Sequence, residues 1–224
     1  MNVICTICAR KNSVGVKNKA IQILGGKPLI AHTIIQAKKS KIFNRIVVST
    51  DSKRIQKIAL NYGADSWFLR PQKLAKKLSS KESAIRHAVK ESERYYNTTF
   101  AVCIDLDVTS PLRKVEDIKK AYKLFIKKKS SILFTVNEAR KNPYFNMVEQ
   151  KGKKIDLIKK KRQIIYARQQ APKVFDMNAS IYIWKRNVLM KTNNLFGKKT
   201  SIYVMPFERS IDIDDLTDFK IVKC

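Results

Sequence analysis

The sequence predicts a mainly parallel, three-layer α/β domain, and three observations carry that prediction. Apolar runs of strand length alternate with helical periodicity over the first 136 residues. Residues 100–106 form a nearly continuous apolar run, as suits a strand buried on both faces of a parallel sheet. The chain has 224 residues, enough for one such domain with a full core, so 1–224 is expected to be a single domain.

Residues 3–7 read as the first strand. Residues 27–40 read as a helix with Ile30, Ile34 and Ala37 on one face, and 45–49 as the strand that completes a βαβ unit. Asp51-Ser52 offers a helix start before Ile55, Ile58 and Ala59, and Gly63 falls where a C-cap belongs. A helix over 82–95 leads to the strand at 100–106. A helix over 115–126 then leads to a strand at 131–136. Residues 138–176 differ: polar, lysine-rich and weakly periodic, with Asn142-Pro143 and Gly152 as punctuation, they predict a hairpin or arm leaving the sheet. Residues 179–184 and 201–205 read as late strands, and a short helix opens at Asp214.

The formal charge of +29, from 47 Lys and Arg against 18 Asp and Glu, favours anionic ligands. The lysines lie in short clusters at 127–129, 159–161 and 198–199 without interleaved aromatics. Nucleic acid is therefore not the expected partner, although the charge would help an anionic substrate arrive. No apolar run reaches the roughly 20 residues of a membrane helix. The N-terminus lacks a secretory pattern, so a cytoplasmic protein is expected. The cysteines at 5, 8, 103 and 224 have no framework spacing, and on a strand Cys5 and Cys8 face opposite ways. His32 and His87 fall in helix patterns, and no nucleophile–histidine constellation is readable.

Four clusters carry candidate chemistry. The loop after the first strand holds Arg10, Ser13, Gly15, Lys17 and Lys19, a pattern suited to phosphate that matches neither GxxxxGK[ST] nor GxGxxG. A solvated basic turn is the alternative. Asp212-Ile213-Asp214 would, if extended, turn two carboxylates to one side and share a hard cation; an Asp cap for the helix at Leu216 is the alternative. Thr109-Ser110-Pro111-Leu112-Arg113 offers hydroxyls to a base or ribose. Arg168-Gln169-Gln170 with Asn178 could read a polyhydroxylated ligand.

In order along the chain these clusters resemble the acylneuraminate cytidylyltransferase family. Its opening pattern, approximately A-R-x-x-S-K-G-x-x-x-K-N and then L-x-G-K-P-L-I, is matched by Ala9, Arg10, Ser13, Gly15 and Lys19, then Leu24, Gly26, Lys27, Pro28, Leu29 and Ile30. The likeness continues through Phe68-Leu69-Arg70-Pro71, Thr109-Ser110-Pro111, Arg168-Gln169, Asn178-Ala179-Ser180 and Ser210-Ile211-Asp212-Ile213-Asp214. The wording Asp105-Leu106-Asp107 is similar to the legionaminate-type branch. The branch acting on 3-deoxy-manno-octulosonate has a different opening loop.

The resemblance implies a nucleotidyltransferase-like, Rossmann-like α/β/α domain with a mixed sheet and an inserted arm. It implies transfer of CMP from CTP to a nonulosonic acid, legionaminic or sialic in type, with pyrophosphate released. Arg10, Lys19 and Asp212 would be catalytic. Arg10, Ser13, Gly15, Lys19, Arg70, Ser80, Thr109 and Ser110 would bind nucleotide, with Arg113 supporting that wall. Arg168, Gln169 and Asn178 would face the sugar, Asp212 and Asp214 would hold Mg²⁺, and the arm at 138–176 would join a homodimer.

Four positions depart from the pattern: Val14 replaces a phosphate-contacting lysine, Ala20 an asparagine, Lys77 an aspartate, and Val108 the proline common before Thr-Ser-Pro. Lys11 or Lys17 is expected to supply the missing charge. A degraded family member, or a basic binding protein, is the competing expectation.

Overall fold

The computed structural model describes residues 1–224 except Val14, Lys77, Leu78, Arg162, Ile164, Asn193 and Cys224. The expectations at Val14, Lys77 and Cys224 therefore lie outside the described residues. In chain order the elements are β1 (Val3–Cys8), β2 (Ile23–Leu24), β3 (Lys27–Pro28), α1 (Leu29–Ser40), β4 (Arg45–Ser49), α2 (Lys53–Asn61), α3 (Lys81–Tyr95), β5 (Val102–Leu106), α4 (Val115–Lys127) and β6 (Ile132–Glu138). Then come β7 (Val148–Lys151), β8 (Lys154–Leu157), β9 (Phe175–Lys185), α5 (Arg186–Lys191), β10 (Thr200–Val204) and α6 (Leu216–Lys223).

Six strands form the central sheet in the order β10-β6-β9-β5-β1-β4. β1 pairs in parallel with β4 and β5, and β10 with β6; β9 alone runs antiparallel to both its neighbours. Period-2 alternation on β1 sends Val3, Cys5 and Ile7 into one core with Leu29 and Ile34 of α1 and Ile118 of α4. Ile4 goes to the other face with Ile85 and Val89 of α3 and Leu189 of α5. Those opposed faces make the three layers. Each fully buried Ile or Leu contributes about 1.5–3 kcal/mol, so the sheet is anchored on both sides.

β1 connects through α1 outward to β4, whereas β5 connects through α4 in the opposite direction to β6. The connections part between β1 and β5, and a crevice opens at the carboxyl ends of those strands, where open α/β sheets bind ligands.

Three features depart from the sequence expectation. β9 begins at Phe175, inside the supposed arm, whereas the hairpin expected in that arm is present as β7–β8, turning at Gly152, whose φ is 62°. α5 has only six residues, too few for periodicity to show. The β6–β9 register shifts between Phe134 and Val136, and Ala179 sits at φ 51° in that bulge.

Candidate functional site

The crevice encloses a cavity of about 550 Å³. Its walls are the loop after β1 (Cys8, Ala9, Arg10, Ser13, Gly15, Lys19 and Ala20), Arg70, Lys76, the first turn of α3 (Ser80, Lys81 and Ala84), residues 107–109 after β5, and Asp214.

The opening loop is not a solvated turn. Val16 and Ala20 are buried, and the Ala9 N–H donates to the Ser49 carbonyl at 3.0 Å. Gly15 passes so close to the C-terminal segment that a Cβ there would lie 1.8 Å from the Asp214 carbonyl oxygen; only glycine allows that approach. Lys19 is 8% exposed and donates to the Ile213 carbonyl, with the Asp214 carbonyl at 3.4 Å and the Asp214 carboxylate at 3.7 Å. Its head group therefore ties the loop to the acidic segment. Lys11 and Lys17, expected to replace a missing cation, are exposed and outside the cavity lining; Lys76 lines it instead.

On the opposite wall the Arg70 guanidinium is buried and donates to the Ser49 hydroxyl at 3.0 Å and to the Ser49 carbonyl. Ser80 caps α3, accepting from the Ser83 N–H at 3.2 Å. Beside it lies a group that sequence reasoning missed as a functional element. The Lys81 ammonium contacts the Asp105 carboxylate at 2.9 Å and the Asp107 carboxylate, and Asp105 also accepts from the Thr6 hydroxyl at 2.8 Å. Burial pulls the Lys81 ammonium down, but the two carboxylates outweigh it and hold it well above the ordinary lysine range. Burial pushes Asp105 up despite Lys81, whereas at Asp107 burial is outweighed by Lys81 and its carboxyl lies below the usual range. An acidic residue inside the apolar run 100–106 was the available signal, because a buried carboxylate requires a partner.

Asp212 faces this group. Burial, reinforced by Asp107, raises its pKa to about 6, and its Oδ1 is buried without a hydrogen-bond partner. Ile213 is fully buried and donates its N–H to the Thr109 carbonyl at 2.9 Å, whereas the Asp214 side chain is 82% exposed. The two carboxylates thus flank a buried residue, in unequal environments. An orphaned buried carboxylate oxygen beside further carboxylates suits a hard divalent cation. Among the described residues no three His, Cys, Asp or Glu side chains group as metal ligands.

Arg10, Ser13, Gly15, Lys19, Arg70, Ser80, Thr109 and Asp214 all line the cavity. Ser110 does not: it is fully buried, with its hydroxyl 3.5 Å from the Asn178 carbonyl. Asn178 is likewise buried, donating to the Ser210 hydroxyl at 2.9 Å, so its side chain braces the β9 bulge against the acidic segment rather than facing a sugar. Arg113 is buried too; it holds the Ser180 carbonyl at 2.7 Å and the Asp107 carbonyl at 3.3 Å, supporting the wall from behind. Arg168 and Gln169 lie in an exposed 3₁₀ turn away from the cavity lining, with Arg168 donating to the Ala139 carbonyl at 2.6 Å.

Residues 4–220 match the family described as Cytidylyltransferase. The chain is 47% identical over 221 residues to CMP-N,N'-diacetyllegionaminic acid synthase of Campylobacter jejuni, covering 99% of this chain and 93% of that one. It is 45% identical over 221 residues to post-translational flagellin modification protein B of Campylobacter coli, with the same coverage. Its fold is similar to that of a CMP:2-keto-3-deoxy-manno-octonic acid synthetase solved with CTP, at a TM-score of 0.69 and 14% identity, covering 100% of this chain and 97% of the other.

Proposed function

The chain belongs to the cytidylyltransferase family, and from that premise we propose that it activates a nonulosonic acid of legionaminic type with CTP, giving the CMP-sugar and pyrophosphate. The carrying observation is the crevice between β1 and β5, where Arg10 and the carboxylates of Asp107 and Asp214 border one cavity large enough for a nucleotide, with the partly buried Asp212 next to Asp107.

In this reading the anomeric hydroxyl of the sugar attacks the α-phosphorus of CTP; the new O–P bond forms as the bond to the bridging oxygen breaks and pyrophosphate departs. Such a transfer needs positioning and charge stabilisation more than covalent chemistry from the protein. Arg10 supplies a fork-shaped cation for the departing phosphates, and Ser13 and the Gly15 backbone give the loop its close approach. Lys19 acts chiefly as a positioning residue, holding that loop to the acidic segment. Arg70, Ser80 and Thr109 face the nucleoside, whereas Arg168 and Gln169, outside the cavity lining, are assigned no contact with the ligand in this cavity. Asp212 and Asp214, with Asp107 close by, would hold Mg²⁺, which when bound offsets charge on the phosphate oxygens.

We further propose that the single domain works in the cytoplasm as a homodimer joined through the arm at 138–176. Among the described residues no helix is long and apolar enough to cross a membrane. The test is pyrophosphate release from CTP and Mg²⁺ with a panel of nonulosonic acids. The legionaminic-type substrate should turn over, and release no greater than that of Asp212→Ala would sink the proposal.

A further inference from the structure

We propose that Lys76, on the wall facing the opening loop, is a phosphate-binding residue that contacts the same terminal phosphates as Arg10; this rests on the reading of the crevice as a CTP site. Five cationic side chains line the cavity: Arg10, Lys19, Arg70, Lys76 and Lys81. Three of them have their charged heads committed to the protein. Lys19 is tied to Ile213 and Asp214, Arg70 to Ser49, and Lys81 to Asp105 and Asp107. Releasing any of these to a ligand would leave a buried partner unsatisfied.

Lys76 is different. It is exposed at the cavity rim, and its ammonium has no hydrogen bond or carboxylate partner among the described residues. Its backbone, by contrast, is fixed: its carbonyl accepts from the Ser79 N–H at 3.1 Å, and the Ser79 hydroxyl donates to the Lys73 carbonyl at 2.8 Å. The same Lys76 carbonyl accepts from Arg10 Nη1 at 3.4 Å, which draws the two loops together at one side of the cavity. An anion held by Arg10 is therefore within the sweep of the Lys76 stem. A lysine suits that task, as a point charge on a flexible chain anchored at a fixed Cα.

This assignment also answers the sequence. The opening loop has valine at position 14, where the resemblance leads one to expect lysine, and neither Lys11 nor Lys17 lines the cavity. The replacement charge then comes from the facing wall, at Lys76, rather than from the same loop.

The experiment is a calorimetric comparison of CTP and CMP binding, with Mg²⁺ present, to the wild-type protein, Lys76→Ala and Lys76→Arg. Lys76→Ala should weaken CTP by about 10- to 100-fold, the range for losing one charge-assisted hydrogen bond, while its CMP affinity and melting temperature stay at the wild-type level. Lys76→Arg should recover most of the CTP affinity. Undiminished CTP binding by Lys76→Ala, or an equal loss for CTP and CMP, overturns the assignment. Wild-type protein that binds no CTP would instead overturn the proposed function, and this inference with it.

Discussion

At the scale of single residues, Asp212 holds the most information because its chemistry and its stability effect oppose each other. Its carboxyl titrates near pH 6 in the folded protein and near 3.9 in an unfolded chain, with burial the main cause and Asp107 the next. The folded state thus holds the proton more tightly, so stability present below about pH 4 is lost as pH rises through 6. Without divalent cation, Asp212→Asn should therefore be more stable than wild type at pH 8, by at most about 3 kcal/mol, and equal to it at pH 4. Added Mg²⁺ should raise the wild-type melting temperature and leave the variant unmoved. Melting curves at the two pH values decide it, and a pH-independent difference would refute the titration. The residue pair was legible in the sequence from Asp-x-Asp spacing alone. The inequality between its members was not, because it depends first on how deeply the fold buries Asp212 and then on Asp107, just beyond β5.

At the scale of elements, α3 is joined to the sheet by a charge. Lys81 opens the helix and reaches Asp105 of β5, whose side chain is fully buried, as well as Asp107 beyond the strand. Removing the ammonium leaves Asp105 buried and unpaired, so Lys81→Met should cost about 2–3 kcal/mol, discounted from fully buried pairs because the Lys81 side chain is 32% exposed. The loss should be greatest at pH 8, shrink as Asp105 takes up a proton on acidification, and be partly restored by adding Asp105→Asn. Denaturant titrations of the single and double variants test this; a loss untouched by the second substitution would show the helix failing for another reason. β1, β4 and β5 were readable because strands buried on both faces are written in nearly continuous apolar residues. The antiparallel direction of β9 was hidden, since pairing direction leaves no periodic mark, and so was the bulge at Ala179. Asn178 lies in that bulge, where its side chain donates to the Ser210 hydroxyl across a locally broken ladder.

At the scale of the whole molecule, the sequence announced its charge and its arm with equal clarity but not what the arm meets. Among the described residues β7 pairs only with β8, and a two-stranded hairpin is at best marginally stable in water. Its register sets Val148 opposite Leu157 and Gln150 opposite Ile155, so these four side chains share one face. Val148 and Ile155 are 63% and 64% exposed on a hairpin that gains no sheet neighbour in the single chain. A second copy of the chain covering that face would bury both, which is the physical basis for the proposed homodimer. The double substitution V148D/I155D places charges where the apolar contact would form, and it leaves the core and the cavity untouched. Light scattering after size exclusion should give a dimer mass for wild type and a monomer mass for the variant, with near-identical melting of the α/β core. Equal masses for the two proteins would remove the arm from the interface and leave the hairpin's exposed face without a role in assembly.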